Sequence, residues 1–259
     1  MGIKIASYNI RIDLESDGQH SWFFRKEPLT ALLNRMDFDF IGIQETRRSQ
    51  YDYLQKHSQY QLFGDYRSFP EDQNNEACPI LFNSNRFTME KGNTFWLSET
   101  PDAISKYKDA DCLRIATWGL FKSRKEGQKL AFINTHLDHI SPQARVFGAK
   151  LLTSFIKENF QDIPVFLTGD FNENEHGQWY QILTESGMID TREAAVTPHQ
   201  GPYGTATGYA FEKEVPVNDY MHIDFIFANH VPAIKSAFTL SPQETLISDH
   251  LLIYIEADI

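Results

Sequence analysis

Apolar runs that stop abruptly at polar, chemically capable residues recur along this chain of 259 residues, and they constrain its fold more than any other feature. The clearest is PVFLTGDFNENEHG at 164–177, where Val165, Phe166 and Leu167 give way to Gly169, Asp170 and Asn172 before Gly177 opens a helical segment. Short apolar runs bounded by turn residues are the pattern of strands buried in a parallel sheet. Side chains alternate along a strand, so Asp170 and Asn172 are expected to share one face while Phe171 points away. In open α/β sheets, chemistry gathers just outside the carboxyl ends of such strands. A carboxylate beside a carboxamide suits a reaction that must position water and stabilise an oxyanion. Strand ends also carry Asp or Asn merely to begin a turn, so this motif alone decides nothing.

Other strand ends agree with it. IKIASYNIR ends on Asn9 and Arg11, FDFIGIQE on Gln44 and Glu45, and KLAFINTHLDH on Asn134, His136 and Asp138. MHIDFIF carries His222 and Asp224, and TLISDHLLIYIEA carries Asp249 and His250 at its entrance. A turn or a satisfied core polar group accounts for any one of these. Brought to one end of a sheet, the set has the makings of an active site.

Taken in order, SYNIR, IGIQE, NTHLDH, TGDFN, HIDFIF and SDH resemble the endonuclease/exonuclease/phosphatase superfamily, the metal-dependent phosphoesterases similar to pancreatic deoxyribonuclease. The resemblance runs from Ser7 to His250, and NEACPILFN, TFWLSETP and RIATWGLF resemble a subgroup of small bacterial members. It implies an α/β (α+β) fold, a four-layer αββα sandwich of two mixed sheets face to face with helices outside. It also implies Mg²⁺ or Mn²⁺ and hydrolysis of a phosphoester.

The motifs interleave from end to end, so one domain over 1–259 is expected. Aromatic residues make up 14% of the chain and supply core and pocket material. Two cysteines, Cys78 and Cys112, are too few for a disulfide framework and read as small apolar residues. MGIKIASYNI lacks a charged segment followed by a long apolar one, and no run spans a bilayer. A soluble, cytoplasmic protein without membrane contact follows as the expectation. The net charge of −11, from 35 acids against 24 bases with no long basic run, disfavours undirected binding of nucleic acid, which depends on phosphate contacts.

Periodicity and turn residues place the remaining elements. A first helix is expected over 21–36, with Pro28 marking its first turn, and a second over 50–57. Segments 79–83 and 87–96 read as an antiparallel pair, and 115–122 with 129–135 as another, joined by the polar SRKEGQ turn. Ser141 caps a third helix with Pro142 at its first position, and Leu151, Leu152, Phe155 and Ile156 form its apolar face.

The resemblance assigns roles. Glu45 is the first metal ligand, with Asp249 and Asn9 helping directly or through water. A hard cation wants few carboxylates, several waters and a substrate phosphate. Asp170 orients and deprotonates the attacking water; burial among acids would raise its pKa, and the metal would lower it. Asn172 donates to a non-bridging phosphoryl oxygen. His250 contacts the scissile phosphate and is held by Asp224, while His136 sits opposite, held by Glu76. Arg114 and Arg145 could each clamp a phosphate or pair with an acid, so neither is placed among the catalytic residues. His139, His176, His199 and His222 stay unassigned. Loops 65–75 and 197–219, the second rich in Gly and Tyr, are expected to shape the pocket. A phosphorylated small molecule or phosphodiester is the leading substrate class. A nuclease acting on DNA or RNA is the alternative, and a catalytically silent binding module of the same fold is a third. The intact set of acids and histidines argues against the third.

Overall fold

Strands that are apolar on both faces need cover on both, and the structure supplies it. The computed structural model describes residues 1–72, 75–209, 221–241 and 247–259. Its elements run β1 (Gly2–Asn9), α1 (Trp22–Met36), β2 (Phe40–Gln44), α2 (Arg48–His57), β3 (Gln61–Phe63), β4 (Ile80–Phe82), β5 (Phe87–Trp96) and β6 (Ile115–Ser123). There follow β7 (Lys129–His136), α3 (Pro142–Asn159), β8 (Val165–Asp170), α4 (Gln178–Glu185), β9 (Ile189–Asp190), β10 (Asp224–Asn229), β11 (Ala233–Thr239) and β12 (Ile253–Asp258). Two mixed six-stranded sheets result, ordered β11-β12-β1-β2-β4-β3 and β5-β6-β7-β8-β10-β9. Each holds one parallel pair among the described residues, β1 with β2 and β7 with β8. A parallel pair needs a crossover, and α1 and α3 provide it.

Alternation along the strands sorts the side chains into three apolar layers. Ile5, Phe40, Phe132 and Phe166 pack between the sheets. Tyr8, Ile41 and Ile43 face Leu29 and Leu33 of α1. Ala131, Ile133 and Leu167 face Leu152 of α3 and Trp179 of α4. Helix, sheet, sheet and helix make the four layers expected from the sequence. Among the described residues no helix is long and apolar enough to cross a membrane.

The inward-facing positions change character along each central strand. The columns run Ile5–Ser7–Asn9, Phe40–Gly42–Gln44, Phe132–Asn134–His136 and Phe166–Thr168–Asp170, from apolar core through a buried polar tier to the sheet end. In the polar tier Gln44 Nε2 donates to Asn134 Oδ1 at 2.7 Å and to Ser7 Oγ at 3.2 Å, and Thr168 Oγ1 donates to Asn134 Oδ1 at 3.1 Å. Asn134 Nδ2 in turn donates to the carbonyls of Ile43 and Pro79. The tier bolts the two sheets together at one register.

Gly42 makes that approach possible. A Cβ there would run into Thr168 Oγ1, with Asn134 Oδ1 2.5 Å away. Overpacking of a rigid, hydrogen-bonded layer costs at least about 1–3 kcal/mol. Gly42→Ala is therefore expected to lower the unfolding midpoint by several degrees or to block folding; a midpoint equal to wild type by calorimetry would refute the tier's rigidity.

Several expectations need correction. Segments 79–83 and 87–96 do not pair: β4 lies between β2 and β3 in the first sheet, whereas β5 is the edge of the second beside β6. The burial patterns explain it. β4 is buried throughout, as an interior strand must be, while β5 alternates toward solvent. Pro28 sits well inside α1, which begins at Trp22 after Ser21. The second helix starts at Arg48, two residues before its expected start. The 115–122 and 129–135 strands pair as expected, and Ser141 caps α3 through a hydrogen bond from the Ala144 amide.

Candidate active site

The two parallel pairs bring their carboxyl ends together, with Asn9 level with Gln44 in one sheet and His136 level with Asp170 in the other. Asn9 joins them. Its Nδ2 donates to Asp170 Oδ2 and to Glu45 Oε1, both at 2.9 Å, and its Oδ1 accepts the Arg11 amide at 3.0 Å. Glu45 has φ 61°, which turns the chain as it leaves β2; its Oε2 accepts the Ile12 amide at 3.0 Å. Arg11 and Asn172 also have positive φ. Left-handed backbone at a residue other than glycine costs of order 1–3 kcal/mol and concentrates at functional sites.

Asn172 reaches the cleft by a turn rather than by strand alternation, since β8 ends at Asp170. The Asn172 amide donates to Asp170 Oδ1 at 2.9 Å, closing the turn. Phe171 does point away, buried and stacked on Trp179 with centroids 4.4 Å apart. The Asn172 Nδ2 protons go to the Leu137 carbonyl at 3.0 Å and to His136 Nε2 at 2.8 Å. Asn172 thus stands against the imidazole of His136 at the mouth of the cleft.

His250 arrives from the segment before β12. Its Nδ1 lies 2.8 Å from Asp224 Oδ2, and its Nε2 lies 3.8 Å from Asp170 Oδ2. Asp224 stands directly beside Asp170 in the antiparallel register of β10 and β8. The expected Asp224–His250 pair is therefore present. The expected Glu76–His136 pair is not: Arg67 takes Glu76 with two parallel hydrogen bonds of 2.9 and 2.8 Å. A planar guanidinium matches a carboxylate far better than one imidazole nitrogen does, and His136 goes to Asn172.

Electrostatics separates the two histidines. For His250 burial alone would depress the pKa, but the charge and hydrogen bond of Asp224, with Asp170 and Asp249, raise it well above its usual value. For His136 burial and the nearby Arg114 and Arg67 guanidinium groups push it well below. The two rings are pushed in opposite directions, His250 toward the cation and His136 toward the neutral form. Burial, then the charge of Asp224, push Asp170 up to about 7, against the lowering pull of His250 and Asn9. Asp249 is raised by burial and by Glu45, and Arg11 partly offsets this from 3.6 Å.

The donor set fits a hard divalent cation. Glu45, His136 and Asp170 place ligand atoms within 4.8 Å of one another, as do Asp170, Asp224 and His250. Asp224 Oδ1 is buried without a hydrogen-bond partner. Crowded, buried carboxylate oxygens are the environment that a hard divalent cation relieves.

The remaining sequence candidates divide cleanly. Asp138 accepts the amides of Asp111, Ile140 and Ser141 and so anchors the start of α3. Arg145 is spent on Glu173 at 2.9 Å and on the Asp138 carbonyl. Arg114, by contrast, lines the cleft with His136 and Glu45. Arg67, which sequence reasoning missed, lies in the 65–75 loop with no motif to single it out. Cys78 is buried and Cys112 half-buried, and both are free thiols. His222 is buried against Phe225. In the 197–219 loop, Tyr203 donates to Glu175 at 2.6 Å under the Arg192 guanidinium, and Tyr209 stacks on His20. Residues 210–219 of that loop lie outside the described residues, as do 73 and 74 of the other.

A model of the endonuclease/exonuclease/phosphatase family matches residues 6–250. No curated protein sequence matches the chain. Among solved structures it is 32% identical to a functionally unknown conserved protein from Enterococcus faecalis, with a TM-score of 0.90 over 99% of this chain and 100% of that one. It is 30% identical to an endonuclease/exonuclease/phosphatase from Bacteroides vulgatus, with a TM-score of 0.93 over 100% and 99% of the two chains. A mannosyl-6-phosphatase from Bacteroides thetaiotaomicron is 29% identical, with a TM-score of 0.86 over 98% of each.

Proposed function

The chain belongs to the endonuclease/exonuclease/phosphatase family, and on that premise we propose that it hydrolyses a phosphoester of a small phosphorylated molecule, a sugar phosphate being the favoured class. The observation that carries this reading is the Asn9 amide, which ties Glu45 of one sheet to Asp170 of the other at 2.9 Å each. Water activation and charge neutralisation are thereby held side by side.

Asp170 orients the attacking water and takes up its proton. A carboxyl raised to about 7 is matched to that task at neutral pH. His250, kept cationic by Asp224, donates from Nε2 to a phosphoryl oxygen as charge accumulates there. His136, neutral and oriented by Asn172, lines the opposite wall. Asn9 turns its nitrogen to the carboxylates and serves as a bridge between them more readily than as a ligand. Glu45 and Asp249 would hold Mg²⁺ or Mn²⁺, and the bound ion would neutralise phosphoryl charge.

A sugar phosphate is favoured over nucleic acid because of the mannosyl-6-phosphatase likeness and the net charge of −11. A hydrolysis screen over sugar phosphates, nucleotides, inositol phosphates and short oligonucleotides tests this. Turnover of a sugar phosphate with Mg²⁺ or Mn²⁺, lost on adding EDTA, is expected. Activity that survives chelation would defeat the metal's role, and salt-sensitive cleavage of oligonucleotides alone would move the assignment to a nuclease.

A further inference from the structure

We propose that Arg114 forms an oxyanion subsite in the wall of the cleft and binds an anionic group of the substrate there. Its side chain is 8% exposed, yet it meets no carboxylate. Among the described residues its one side-chain hydrogen-bond partner is His139 Nδ1, 3.1 Å from Nη2, and its Nε is buried with no partner. Its charge is felt by Glu76 and Asp138, but neither hydrogen-bonds to it, and a buried guanidinium with N–H groups left unpaired is costly. Three neighbouring guanidinium groups are engaged by carboxylates: Arg67 by Glu76, Arg11 by Asp17 and Arg145 by Glu173. Arg114 makes no such ion pair among the described residues.

Placement fits the role. Arg114 lines the cleft of about 410 Å³ together with His136, His139, Asn172 and Glu45. Ala116 pairs with Thr135 across β6 and β7, and His136 with Asp170 across β7 and β8. Arg114 therefore enters two strands from Asp170, about 10 Å along the sheet edge, on the side away from Asp224. A guanidinium has donors and no acceptor, so His139 Nδ1 must accept from it. That contact fixes the plane of the fork and leaves the remaining Nη protons for a ligand, with the buried Nε holding the fork's stem. Two parallel N–H groups match the oxygens of a phosphoryl or carboxylate group.

The inference deepens the phosphoester reading and rests on it only for which anion is bound. The anion is either the reacting phosphoryl group or a second acidic group on the same molecule. Calorimetric titration of the protein in Mg²⁺ buffer with inorganic phosphate and with pyrophosphate separates the two. Arg114→Gln is expected to weaken phosphate by about tenfold or more, the usual scale for losing a charged hydrogen-bond partner, with partial recovery in Arg114→Lys. If pyrophosphate alone is weakened, Arg114 holds the second group. The unfolding midpoint of ligand-free Arg114→Gln should stay close to wild type, because no carboxylate hydrogen-bonds to the guanidinium and glutamine keeps a donor for His139. Unchanged affinity for both anions, a wild-type protein that binds neither, or a lowered midpoint with anion binding intact would overturn the proposal. A wild-type protein that binds phosphate but turns over no phosphoester would defeat the functional reading alone.

Discussion

Asp170→Asn is expected to cut kcat by about 10³-fold, within the range for removing a positioned general base, while its stability relative to wild type improves as pH rises. The substitution keeps the shape of the side chain. The stability follows from the direction of its titration. A carboxyl raised from 3.8 to about 7 on folding binds more protons in the native state between those values. Its stabilising contribution is complete below 3.8 and is lost as pH rises through 7. Above pH 7 the buried charge weakens the fold, and asparagine removes it. Asparagine also gives up one of the two acceptors that Asn9 Nδ2 and the Asn172 amide use, so the unfolding midpoint of the variant, measured in EDTA, should lie below wild type in acid and approach it as pH rises through about 7. His250→Ala makes the contrast: it should lose turnover on a similar scale and also lower the midpoint, because Asp224 would be left buried without its imidazole partner. An Asp170→Asn variant with near wild-type kcat would remove Asp170 from the chemistry altogether.

Glu45→Gln should separate metal binding from folding. Gln keeps the length of the side chain and an oxygen for the Ile12 amide, now 3.0 Å from Oε2, but carries no charge and gives up the acceptor that Asn9 Nδ2 uses. Wild-type protein at 100 times the dissociation constant of Mg²⁺ should gain about 2.7 kcal/mol of stability by mass action, read as a rise in the thermal midpoint. In Glu45→Gln that rise should vanish together with most of the turnover. A Mg²⁺-dependent shift of wild-type size in the variant would place the ion elsewhere.

Much of this was legible in the chain because the strands are read from both sides. Their apolar runs announce two covered faces, and the inward column of each ends at Asn9, Gln44, His136 or Asp170 by simple alternation. Asp224 and His250 were paired correctly, and their 2.8 Å contact joins the ends of two such segments. What stayed hidden depends on contacts that no period encodes. Arg67 takes Glu76 from a loop without regular structure. The separation of β4 from β5 turns on which neighbour each strand finds, and four residues between them read as well for a hairpin as for a crossing between sheets. Left-handed backbone at Glu45 and Asn172 also leaves no mark in the sequence, because neither residue is glycine. Arg114 could be singled out but not resolved, since a clamp and a salt bridge call for the same side chain.

Pairing of β1 with β12 sets the order in which the protein can become competent. Asn9 precedes Asp249 and His250 by about 240 residues in the growing polypeptide. Until the segment carrying Asp249, His250 and β12 is made, β1 lacks one of its two neighbours and Asp224 lacks its imidazole. A nascent chain that has not yet reached that segment can therefore carry Glu45, His136 and Asp170 and remain catalytically mute.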